Sequence, residues 1–311
     1  MLHRRIWICP FALLLVFALA ACGGDAAQPT PDPLDPALLQ QAPPTDVPLN
    51  SSTLPTASSG EALVATVNGQ PITLAQFERA ISRRQTEFAA ASVDALRAEV
   101  LGQLIEQMLI EQGAAAQNIV ISAEQVQAEI QSMVEQAGGQ ENYESWLASN
   151  LYTPDEFSAE LRGTLLTNQV RDALTADLGG NVQQVNARHI LLTTAEEAQS
   201  VLARLNAGED FAALAQTLSR DETTRASGGD LGWFTQEELL VPELAQAAFT
   251  LQPGQIAGPI GTSLGYHVVQ TIEVADRPVD EERRVFIAQA RFENWLRPLL
   301  DNAVIERYLP S

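Results

Sequence analysis

The chain contains no lysine; all eighteen of its basic residues are arginine. Schiff-base chemistry, a lysine general base and a phosphate-binding P-loop are thereby excluded, because each needs an amine. Cysteine occurs only at Cys9 and Cys22, too few for a disulfide framework. Histidine occurs only at His3, His189 and His267. A zinc site needs three or four ligands, so no metal and no cofactor is expected. Positive charge is scarce as well, and thirty-nine acidic residues leave a net −21 over 311 residues. Such a chain does not neutralise nucleic-acid phosphates, and self-repulsion keeps it soluble.

Long apolar runs are missing too. The one candidate, residues 6–18, is shorter than the roughly 20 residues a spanning helix needs. It follows His3-Arg4-Arg5 and ends at Leu19-Ala20-Ala21-Cys22, the layout of a signal peptide over residues 1–21. The last four residues resemble a bacterial lipobox. That resemblance implies cleavage before Cys22, lipidation of its sulfur and a lipid-anchored, extracytoplasmic place at a cell membrane. Arg4 and Arg5 are the only charges before Cys22, so the remainder carries −23. Residues 22–60, rich in Pro, Ser and Ala, bury too little apolar surface to offset their ordering entropy and read as a tether.

Over residues 61–180 the patterns are mainly helical. Leu63 to Val67 reads as a strand, Asn68-Gly69 as a turn and Gln70-Pro71-Ile72 as its return. Capping boxes at Thr73/Gln76 and Ser122/Gln125, and Thr153-Pro154 with acids behind it, start helices. Between them Val93, Leu96, Val100, Leu101, Leu104, Ile105, Met108 and Leu109 keep to one helical face. A shorter helix is expected from Tyr143 to Leu151, and Phe157, Leu161, Leu165 and Val170 are expected to face inward on the next. Residues 279–311 add a helix with Val285, Phe286, Gln289, Phe292, Trp295 and Leu296 as its apolar face, and a final strand. A lone helix this apolar must pack back on the earlier ones.

Residues 185–275 change character. The order is strand, two helices, strand, helix, two strands, which is α+β with one sheet. At its centre runs Ser219-Arg220-Asp221, then Gly228-Gly229-Asp230-Leu231-Gly232-Trp233-Phe234, with His189 upstream and His267 downstream. The paired glycines permit a sharp reversal, and the alternation after them suits a half-buried strand. Gly261-Thr262-Ser263-Leu264-Gly265 matches the nucleophile elbow of hydrolases, but that elbow needs a helix after it. Here Tyr266 to Val274 is rich in β-formers, which argues against a hydrolase.

Ala187-Arg188-His189-Ile190-Leu191-Leu192, the Ser219 and Gly228 motifs, Ala247-Ala248-Phe249, Gln252-Pro253-Gly254-Gln255 and Gly265-Tyr266-His267-Val268-Val269 stand in one order and spacing. In this the module resembles the parvulin-type peptidyl-prolyl isomerases. The flanking segments resemble, more loosely, the helical chaperone domains of PrsA/SurA-type foldases. The resemblance implies a four-stranded antiparallel sheet flanked by helices, inserted after an all-α chaperone-like domain, with a returning C-terminal helix. It implies His189, His267 and Asp221 at the catalytic centre, and Leu231, Phe234, Leu240, Leu244 and Phe249 as walls for proline, with Leu244 where an aromatic is usual. The partners it implies are unfolded or partly folded secreted polypeptides containing X–Pro bonds, with homodimerisation left open. The alternative is a holdase whose module binds peptides without turning them over.

Overall fold

The computed structural model describes residues 54–87 and 93–309. The expected signal peptide, Cys22 and the tether up to residue 53 lie outside the described residues. Strands β1 (Leu63–Val67) and β2 (Gln70–Thr73) form a hairpin. Its turn residues Asn68 and Gly69 take φ of 51° and 80°, the left-handed pair such tight turns require. The Gln76 side chain accepts the Thr73 N–H (3.1 Å) and the Thr73 hydroxyl accepts the Gln76 N–H (3.3 Å), starting α1 (Leu74–Glu87). Next come α2 (Val93–Ala116), α3 (Ala123–Gln136), α4 (Gln140–Ser149) and α5 (Pro154–Leu174). The capping boxes at Ser122 and Thr153 are both formed. Helix α4 begins three residues before the expected start, and Leu166 rather than Leu165 is buried on α5. Tyr143, Trp146 and Tyr152 ring Phe157 with centroids 5.4–6.0 Å away, which docks α4 on α5.

The second region is one antiparallel sheet with helices on both faces. Strand β3 (Asn181–Leu192) leads to α6 (Ala195–Asn206) and α7 (Phe211–Leu218). After them come β4 (Asp230–Phe234), α8 (Pro242–Thr250), β5 (Ile256–Thr262) and β6 (Gly265–Pro278). The strand order is β4-β3-β6-β5. Ile190, Leu192 and Val268 pack under α6 and α7, while Val185, Ala187 and Val269 pack with Leu244 and Ala248 of α8. Strands β3 and β6 outrun their expected spans at the 181 and 278 ends. Polar Gln183 and Gln184 hid that extension, yet Gln184 is fully buried, its amide donating to the Arg277 and Pro278 carbonyls.

Helix α9 (Glu281–Asp301) then returns to the first region. It lies close enough to α2 that a Cβ on Gly113 would sit 2.4 Å from Leu299 and 2.9 Å from Trp295. The Arg171 guanidinium of α5 stacks 3.7 Å over the Phe292 ring. Its buried residues are Ile287, Phe292 and Leu296, each stabilising by about 2 kcal/mol. The expected face fails at its start: Val285 and Phe286 are 64% and 48% exposed, because the stripe on this turn centres on Ile287. Strand β7 (Ile305–Arg307) pairs antiparallel with β1, giving a second sheet of order β2-β1-β7. The region expected to be all-α therefore has a three-stranded sheet at its base, because the opening hairpin and the closing strand complete one another. Among the described residues, no helix is long and apolar enough to cross a membrane.

Candidate functional site

The site is built on the two central strands. Residues 185, 187 and 189 of β3 share the face covered by α8, since strand side chains alternate. Leu191 pairs with His267 and His189 with Val269, so the two imidazoles meet across the ladder. Their rings stack at 17° with centroids 5.3 Å apart, and their Nδ1 atoms are 3.1 Å apart. Both side chains are buried.

The loop after α7 brings Asp221 to this pair. Ser219, itself buried, accepts the N–H of Leu191 (3.1 Å) and of Asp221 (3.3 Å), and the Arg220 N–H donates to the Leu191 carbonyl (2.8 Å). Asp221 Oδ2 lies 2.7 Å from His189 Nε2 and accepts from the Thr224 hydroxyl, while Oδ1 accepts the Thr223 N–H (3.0 Å) and hydroxyl. Gly228 and Gly229, at φ of 73° and 82°, then fold the loop onto β3. A Cβ on Gly229 would stand 2.0 Å from the His189 carbonyl oxygen, so that close approach needs glycine.

The far end of the chain of contacts is Thr262 on β5, whose hydroxyl is 2.9 Å from His267 Nε2. The hydrogen-bond roles start from the Asp221 end. A carboxylate only accepts, so His189 donates from Nε2, and the two Nδ1 atoms share one proton between them. His267 Nε2 meets the Thr262 hydroxyl, which also donates to the Gly265 carbonyl (3.2 Å). Burial, and next the neighbouring His189, push the His267 imidazole down to about 4, against the pull of Asp221 and Glu243. Burial opposes the charge on Asp221, but hydrogen bonds from Thr223, Thr224 and His189 outweigh it and hold the carboxyl far below its usual range. One fixed negative charge thus sits at the end of the relay.

Apolar residues flank the relay. Leu231, Phe234, Leu239, Phe249 and Ile260 pack in one cluster with Val269, the register partner of His189. Phe234 and Phe249 meet edge to face at 6.1 Å. Two expected wall residues are placed differently. Leu240 is 92% exposed and outside the cluster, whereas Leu244 is 1% exposed and part of its packed interior. The loop from β4 to α8 turns the neighbouring Leu239 inward instead. Sequence reading also missed Thr224 and Thr262; a hairpin register placing Thr262 two positions past the partner of His267 was the available signal.

Residues 181–273 match the family model of the PPIC-type PPIase domain, and residues 50–171 that of the SurA-like N-terminal domain. Over 250 residues the chain is 30% identical to the foldase protein PrsA of Caldanaerobacter subterraneus, spanning 72% of this chain and 78% of that one. The chain belongs to the PrsA foldase family. It is likewise 40% identical over 147 residues to the chaperone SurA of Alkalilimnicola ehrlichii, covering 41% of this chain and 34% of that protein. The solved peptidylprolyl isomerase PrsA of Bacillus anthracis is 26% identical, with a TM-score of 0.36 over 64% of this chain and 93% of that one. As a PrsA-family foldase with a PPIC-type domain, this chain is a peptidyl-prolyl cis-trans isomerase with chaperone function.

Proposed function

We propose that this foldase rotates X–Pro bonds of unfolded secreted polypeptides at the surface formed by Asp221, His189, His267, Leu231, Phe234, Leu239 and Phe249. Rotation about an X–Pro bond crosses a barrier of roughly 18–20 kcal/mol without breaking a bond. The planar amide carries negative charge on oxygen and positive charge on nitrogen, and twisting returns that charge. An apolar surface that strips water from the bond therefore favours the twisted state. A fixed carboxylate facing the carbonyl oxygen raises the planar form and works in the same direction. His189 and His267 hold that carboxylate in place and exchange no proton with substrate. Leu244 supports the wall from behind.

The observation that carries the reading is the placement of Asp221, held against His189 by hydrogen bonds with Thr223, Thr224 and His189. Line-shape or exchange NMR on an Xaa-Pro peptide tests it. Asp221→Asn, which keeps the shape, is expected to lower kcat/KM at least about tenfold, the effect of about 1.4 kcal/mol on the barrier. Unchanged exchange in that variant overturns the reading.

The organisation proposed with it is a helical chaperone-like domain at 61–180, the isomerase at 185–275 and a closing segment at 279–311. Lipidation of Cys22 and the tether behind it would hold the enzyme at the outer side of a membrane. Radiolabelled-lipid incorporation lost in Cys22→Ala supports that placement, and incorporation unaffected by the change refutes it.

A further inference from the structure

The turn between β4 and α8 is held from outside the sheet. Glu238 closes the short 3-10 turn Gln236–Glu238, and both its oxygens are engaged. Oε1 accepts from Arg283 Nε (2.6 Å); Oε2 accepts from Arg283 Nη2 (2.8 Å) and from the Thr235 N–H (2.7 Å). The same Nη2 donates to Gln184 Oε1 (3.0 Å), the buried amide of β3. Eight residues along α9, Arg291 Nε donates to Glu237 Oε1 (2.8 Å). Its other nitrogens grip Asp177 at 2.5 and 3.1 Å and the Leu174 carbonyl at 3.0 Å, just where α5 ends.

Two successive carboxylates of one turn are thus each met by an arginine of the returning helix. Both pairs are largely shielded from solvent, with side-chain exposures of 30% and 15% at Arg283–Glu238 and 20% and 17% at Arg291–Glu237. The Arg283 fork meets its carboxylate with two bonds, which fixes orientation as well as distance. The residue after Glu238 is Leu239, the wall residue that packs with Phe234 and Leu244.

We propose that Arg283 and Arg291 are positioning residues for prolyl isomerisation: they fasten the 235–239 turn so that Leu239 presents its surface to the substrate ring. The proposal rests on the prolyl site assigned above. It makes the returning helix, which packs on α2 and α5, part of the active-site frame. A turn released from its clamp spends less time in the competent arrangement. Apparent affinity then falls by that fraction, while rotation of a bound peptide is unchanged.

Exchange kinetics on an Xaa-Pro peptide, measured with the full-length protein over a range of peptide concentrations, test this. The Arg283→Ala/Arg291→Ala double variant is expected to raise KM about tenfold with kcat within about twofold of the parent. Arg283→Lys is expected to fall between, since an ammonium supplies a point charge and not a fork. Arg84→Ala, which removes a pair with Glu99 in the helical region, is expected to leave both constants unchanged. Glu238→Gln keeps the shape of the turn and serves if the double variant does not fold; it too is expected to raise KM. An unchanged KM in a folded variant, or a loss confined to kcat, overturns the proposal. If Asp221→Asn and Phe249→Ala also leave exchange untouched, the site itself is wrong. If they impair it while the clamp variants do not, only the clamp is.

Discussion

Among the described residues, the buried polar side chains are Thr73, Gln184, His189, Ser219, Thr235, His267 and Thr271. All but Thr73 belong to the segment that runs from β3 through β6. The helical region is assembled differently, from Val64, Val67, Phe77, Ile105 and Leu109 in an apolar core. Polar interiors specify geometry, because each buried group is costly unless its partner stands in one place. Apolar interiors tolerate rearrangement at little cost provided volume is kept. The sheet of the PPIC-type domain holds the Asp221 carboxylate by three side chains and uses the first kind of interior. The helical region uses the second.

The contrast can be broken at its sharpest point by Gly229→Ala. The new Cβ meets the His189 carbonyl, backbone that cannot step aside, at a φ of 82°. A loss of about 4 kcal/mol or more is expected from clash and strain together, read as a large drop in urea midpoint with loss of isomerase activity. Acidification comes next. His267 titrates at about 4 in the fold and near 6.5 when unfolded, so between those pH values only the unfolded chain takes the proton. Folding of the sheet therefore weakens as pH falls through that window, by about 3 kcal/mol in total. The helical region has no histidine, and burial raises Glu106 there despite Arg171, so its contribution to stability is lost as pH rises and present as pH falls. Unfolding monitored at Trp233 in the sheet should therefore move to lower urea from pH 7 to 4 more than unfolding monitored at Trp146 on α4, and His267→Gln should remove most of the difference. Gly113→Ala sharpens the comparison from the other side. Its obstacles are the ends of the Leu299 and Trp295 side chains, which can shift, so the expected cost is about 1–2 kcal/mol by the same denaturation. Leu240→Ala, at an exposed tip, is expected to change stability by less than about 0.5 kcal/mol.

Much of this was legible in order along the chain. The Asn68-Gly69 hairpin, the capping boxes and the glycine pair carry local signals, because each is a contact between residues a few positions apart. His189, Asp221 and His267 were legible through the resemblance of their surroundings. What escaped depends on contacts across the fold. Gln184 looks like a surface residue until the Arg277 and Pro278 carbonyls and Arg283 meet it. The choice between Leu239 and Leu240 turns on one position of an irregular loop, where no periodicity applies. The inward face of α9 drifted to Ile287 because Val285 and Phe286 are as apolar as the residues that replace them in the core.

The pairing of β1 with β7 also sets an order of events. Thr66 and Glu306 face each other across 240 positions, so the small sheet cannot close until β7 has been made. The β3–β6 sheet draws its strands from within 98 residues and has shorter loops to close. In a chain emerging N-terminus first, the β3–β6 sheet is complete before β1 can pair with β7. During that interval an ordered isomerase module sits on a chain whose first hairpin still lacks its third strand.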